Sequence, residues 1–120
     1  MSMRLSRLMS VATAGYAVFA AVRPEHLGDA VGAHDAARPA WGALARTYAG
    51  RDLAVSAAGV CGPAPVVSAA MGMRIAMDLT DCAALLLATE DAAVRRKIAG
   101  VTIGWATLNT LALLADRRRD

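Results

Sequence analysis

The sequence predicts an all-α protein, a four-helix transmembrane bundle. Three observations point there. Four long apolar segments are separated by breaks rich in Pro, Gly or charge. Alanine makes up about a quarter of the chain, and it loses no side-chain entropy on entering a helix. Basic clusters stand at the ends of apolar segments, as membrane anchors do. Of the 120 residues 57% are hydrophobic, and the mean hydropathy is +0.41. Residues 1–120 are expected to form a single helical membrane domain.

The net charge of +3 and pI near 9.4 raise the question of nucleic acid. The positions argue against that partner. Arg4 and Arg7 flank the first apolar run, Arg95-Arg96-Lys97 precede the last, and Arg117-Arg118-Arg119 close the chain. A nucleic-acid binder would gather such residues on one face with aromatics interleaved. Cys61 and Cys82 make no disulfide framework, and no CxxC or HExxH motif is present. Neither a metal nor a cofactor is expected.

The first span covers approximately residues 5–22. "LMSVATAGYAVFAAV" carries no charge, and "RPEH" stops it. It also resembles a signal peptide, with Val18-Phe19-Ala20 as the cleavage site. An uncleaved span is the preferred reading, because export would carry still more apolar segments across the membrane. Residues 23–40 hold two prolines, two glycines and mixed charges, and predict a polar connection with at most a short helical turn. The second span, 41–61, ends at "CGPAP", where Gly62, Pro63 and Pro65 enforce a stop. The third, 65–89, has Pro65 in its first turn. "EDAAVRRK" is the next break, and the fourth span, 97–115, contains eighteen residues without a charge, Ile98–Ala115. Arg4, Arg7 and the terminal arginines then place both termini on the cytoplasmic side of a multi-pass inner-membrane protein.

Spans two and three fold as an antiparallel hairpin about Pro63. Asp52 lies eleven residues before that turn and Arg74 eleven after it, each about 16 Å away along its helix. Tyr48 and Asp78 are each fifteen residues from the turn, and Arg46 and Asp81 are seventeen and eighteen away. Matching depth and sign pairs Asp52 with Arg74, Arg51 with Asp78 and Arg46 with Asp81. Arg74, Asp78 and Asp81 share one stripe at i, i+4, i+7 spacing. A central charge costs on the order of 3 kcal/mol on insertion scales, whereas a Leu or Ile returns only about half a kcal/mol. The third span is therefore expected to enter the membrane paired with the second. In the fourth span, Gly100 and Gly104 form a GxxxG pair expected to serve intramolecular packing, and Asn109 is expected to hydrogen-bond towards the polar layer. Met71, Met73 and Met77 are expected to fill irregular gaps.

"RTYAGRDLAVSAAG" (Arg46–Gly59), with Arg74 followed by Asp78 and Asp81, resembles a family of small bacterial membrane proteins classed as a domain of unknown function. Its Arg-x-x-Gly-x-Arg-Asp-Leu pattern differs here by one residue between Arg46 and Gly50. The resemblance implies four transmembrane helices and lends no catalytic role. The small multidrug transporters are similar in length and helix number, but their signature is a glutamate in the first helix, where this chain has no carboxylate.

The candidate polar layer thus comprises Arg46, Tyr48, Arg51, Asp52, Arg74, Asp78, Asp81 and Asn109. The main reading is structural, a small accessory membrane protein in which the layer fixes register between helices; the alternative is a small transporter or sensor that uses the layer for an anionic ligand or protons. The partners expected are the lipid bilayer and either a larger membrane protein or a second copy of the chain. A soluble Ala-rich helical bundle is the remaining architecture. No Ser/His/Asp set, catalytic carboxylate pair or phosphate loop supports an enzyme.

Overall fold

In the computed structural model, which describes residues 2–119, five helices follow one another: α1 (Arg4–Val22), α2 (Glu25–Ala30), α3 (Arg38–Cys61), α4 (Ala64–Leu87) and α5 (Ala92–Arg118). No strand occurs among the described residues. Local chemistry sets the breaks. Pro24 disfavours helical geometry at Arg23, whose ψ of 67° ends α1. Pro39 sits in the first turn of α3. Gly62 and Pro63 are both extended, with ψ of 161° and 164°, which turns α3 back into α4. Asp91 caps α5 by accepting a hydrogen bond from the Val94 N–H at 2.9 Å.

The short helical turn of the polar connection is α2, closed by Gly32 at a φ of 67°. One expectation is corrected here. The break before the last span is shorter than expected, because the Asp91 cap starts α5 ahead of Arg95-Arg96-Lys97 and places these residues on the helix. The Arg95 guanidinium instead closes α4, donating to the carbonyls of Leu86 and Thr89.

The helices are aligned in an elongated body of 50 × 26 × 15 Å. α1 packs chiefly on α3 and α4 on α5, while the α3–α4 hairpin and the α1–α5 contact join the two pairs. Among the described residues only α1 and α5 are long and apolar enough to cross a membrane. Every membrane-length stretch of α4 contains Arg74, Asp78 and Asp81, and every one of α3 contains Arg46, Arg51 and Asp52. Four spans therefore do not follow from composition alone.

The polarity of α1 is inverted relative to a helix of a water-soluble bundle, whereas α4 and α5 also bury large apolar residues such as Val67, Met71 and Leu113. α1 buries Ser6, Ser10, Thr13 and Ala17, a stripe of small residues, while Leu8, Val11, Tyr16, Val18 and Val22 stand more than half exposed. α3 answers with Ala45, Ala49, Ser56 and Gly59. Small residues on both faces let the two backbones approach closely. Ser10 and Thr13 satisfy their hydroxyls within the helix, donating to the carbonyls of Ser6 and Met9 at 2.9 Å each. α5 likewise buries Asn109 and Asp116 and exposes Val101, Leu108 and Leu111. Gly100 and Gly104 lie on that outer face, where an added Cβ would meet nothing within 4 Å. The expected intramolecular packing through GxxxG is thus replaced by an open helix face.

A close-packed core of Met3, Val67, Met71, Ala112 and Leu113 fills the end of the bundle that carries the chain termini. Met73, by contrast, faces outward at 55% exposure. The start of α1 has no side-chain cap of its own. Asp116, from the far end of the chain, supplies one: its carboxylate accepts from the Leu5 N–H at 3.2 Å and the Ser6 N–H at 2.7 Å. A negative charge there also complements the helix dipole. Asp116→Ala is expected to cost about 1–2 kcal/mol. Amide hydrogen exchange should show the loss first at Leu5 and Ser6; unchanged protection at both would disprove the cap.

Candidate functional site

α3 and α4 meet face to face above their turn, and their charged residues form one chain of contacts. Arg74 Nη2 lies 2.5 Å from Asp52 Oδ1. Arg51 grips Asp81 with both arms of its fork, Nη1 to Oδ1 at 2.9 Å and Nη2 to Oδ2 at 2.6 Å. The same guanidinium donates to Asp52 Oδ1 at 3.1 and 3.2 Å. Asp78, one turn beyond Arg74, is 4.0 Å from Arg74 Nη1. The order is Asp81–Arg51–Asp52–Arg74–Asp78, with charges alternating along it. Tyr48 covers Arg51, its ring centre 4.7 Å from the guanidinium carbon.

The pairings differ from the sequence expectation in two places. Arg51 takes Asp81 in place of Asp78. Side chains on a helix lean towards its N-terminus, so Arg51 leans away from the Pro63 turn while Asp81, on the antiparallel helix, leans towards it. Arg46, expected to pair with Asp81, is exposed and stands outside the chain of ions. It is six residues from Asp52, which turns it about 120° around the helix from the layer. Asn109 does not reach the layer either. It is fully buried, but its Nδ2 donates to the Trp105 carbonyl of its own helix at 2.8 Å.

Beyond the layer a half-open cleft of about 670 Å³ runs from Arg74 and Asp52 towards α2, within the range that holds drug-sized molecules. Asp78 and Asp81 line it from α4, and Tyr48 and Ala49 from α3. Thr13 and Tyr16 of α1 face Trp105 of α5, and the indole N–H donates to Thr13 Oγ1 at 3.1 Å. His26, Leu27 and Val31 of the α2 segment form the rim. His26 packs edge-on against Phe19, ring centres 5.0 Å apart, and Lys97 Nζ donates to the Ala30 carbonyl at 3.3 Å, which ties α2 to both neighbouring helices.

Sequence reasoning missed Thr13, Tyr16 and the α2 rim. The first apolar segment carries no charge, and its one signal of an inward face is the small and polar stripe Ser6, Ser10, Thr13 and Ala17 at i, i+4, i+7, i+11 spacing. Two buried polar atoms at the site lack a hydrogen-bond partner, Arg74 Nε and Asp78 Oδ2. Both cysteines are free thiols; Cys61 is exposed near the α3–α4 turn and Cys82 is buried.

Comparison with known proteins brings no match to a family model, a curated protein or a solved structure.

Proposed function

We propose that the chain is a small integral membrane protein in which α1, α3, α4 and α5 all span the bilayer, and that it binds a small amphipathic molecule in its cavity as a carrier or sensor. The supporting observation is the inverted polarity: side chains such as Leu8, Val18, Leu108 and Leu111 face outward while Ser6, Thr13, Asp78 and Asn109 face inward. In water, so broad an apolar surface would drive association. In lipid it is the solvated face, and buried small and polar residues hold the helices together. The same inversion weighs against a soluble bundle. Insertion of α3 and α4 as a unit brings Arg51 and Arg74 into the membrane already paired with Asp81 and Asp52, with Asp78 as the carboxylate in excess. The ion chain has a structural role in joining the two hairpin helices, and the cleft next to it gives room for a ligand. The resemblance to small four-span bacterial membrane proteins agrees with this architecture.

Fractionation tests the proposal. Membranes holding the expressed chain, washed in alkaline carbonate, should retain it until mild detergent is added; recovery in the soluble fraction would refute membrane integration. An impermeant maleimide should then label Cys61 from the side on which the termini lie, and Cys82 only after denaturation. Labelling of Cys61 from the opposite side would contradict four spans.

A further inference from the structure

We propose that the cavity takes a lipophilic monocation and that Asp78 is the carboxylate that neutralises it. The inference rests on the ligand-binding reading above and specifies its chemistry. The alternating chain contains three carboxylates and two guanidiniums, because Arg46 lies outside it. Asp81 and Asp52 each receive close hydrogen bonds from arginine. Asp78 does not: its nearest cation is 4.0 Å away, and Oδ2 has no partner although the residue is only 7% exposed. It lines the cavity, so the uncompensated negative charge of the layer faces the open volume. A carboxylate out of water and unpaired is costly unless a proton or a cation joins it.

The cavity supplies what a lipophilic cation needs besides charge. Tyr16 and Trp105 line it, and aromatic rings attract cations; Tyr48, also in the wall, already carries the Arg51 guanidinium on its ring. An anion is disfavoured in the layer: Arg51 is committed to Asp81 and Asp52, and Arg74, although its Nε has no partner, lies between the carboxylates of Asp52 and Asp78, whose charges repel an anion. The remaining cations of the wall, Arg23 and Lys97, are exposed at the rim, with Lys97 turned to the Ala30 carbonyl.

Tetraphenylphosphonium and tetraphenylborate have the same shape and opposite charge, which makes them suitable probes. The full chain in phosphatidylcholine nanodiscs is dialysed against each, with empty nanodiscs subtracted. Saturable binding of the phosphonium and none of the borate is expected. Asp78→Asn should weaken phosphonium binding by about tenfold or more, and Asp78→Glu should largely keep it. Asp78→Asn leaves two carboxylates facing two guanidiniums, so the fold is expected to persist, and circular dichroism checks that. Equal binding of both ions, or phosphonium binding unaffected by Asp78→Asn, would overturn the cation assignment while leaving a ligand-binding cavity in place. Protein-dependent binding of neither ion, in protein that resists carbonate extraction, would overturn both the cation assignment and the ligand-binding reading.

Discussion

Arg74→Gln is expected to destabilise the bundle by about 3–5 kcal/mol, and Asp52→Asn by only about 1–2 kcal/mol, although the two residues form one ion pair. The asymmetry follows from the alternating order of the charges. Without Arg74, Asp52 and Asp78 both lose their shared cation, and three carboxylates face the single guanidinium of Arg51. Without the Asp52 charge, Arg74 still has Asp78 at 4.0 Å, and a small side-chain rotation makes a new pair. The layer then holds two charges of each sign. Adding Asp78→Asn to Arg74→Gln should therefore recover part of the loss, because it removes one of the two excess carboxylates. Unfolding of the purified protein in mixed micelles with rising sodium dodecyl sulfate gives the comparison. Equal costs for the two single variants, or no recovery in the double, would contradict a connected chain of ions.

At the α1–α3 contact, Gly59→Val should cost more than any other single substitution on that face. A Cβ at Gly59 would fall onto the Ser10 hydroxyl and within 2.9 Å of the Ser10 Cβ; the hydroxyl can rotate away, but the Cβ is fixed to the α1 backbone. Gly59→Ala is expected to lose about 1–3 kcal/mol by overpacking, and Gly59→Val more. Ser10→Gly removes both colliding atoms and should rescue Gly59→Ala. Gly100→Ala and Gly104→Ala are the contrasting case. Open space surrounds both positions, and alanine is the better helix former by up to about 1 kcal/mol. These two variants should be neutral or mildly stabilising. Thermal unfolding of the four variants in one detergent separates the faces; a loss at Gly104 as large as that at Gly59 would mean that α5 uses its glycines for packing after all.

Much of this site is legible from register. Asp52 and Arg74 are equidistant from Pro63, and that symmetry alone brings them to one level. The prolines at 24, 39, 63 and 65 likewise mark where helices stop and start. Arg46 and Asn109 show where register runs out. Arg46 has the depth of the layer but the wrong side of α3. Asn109 shares a face with Thr102 but lies one turn beyond Trp105, at the level of the packed core.

Taken by itself, the chain determined the all-helical class, the four long helices, the breaks between them and the depth of each charge, because these depend on local propensity and on distance along an axis. The tertiary structure decided how each helix is rotated about that axis. Helices that are apolar on nearly every side carry little periodic signal, so hydrophobicity alone does not choose the inward face. Close backbone approach chose it here, turning Ser6, Thr13, Ala49 and Gly59 inward and the larger side chains out. The cavity, the unshared carboxylate of Asp78 and the Asp116 cap on α1 all follow from that rotation.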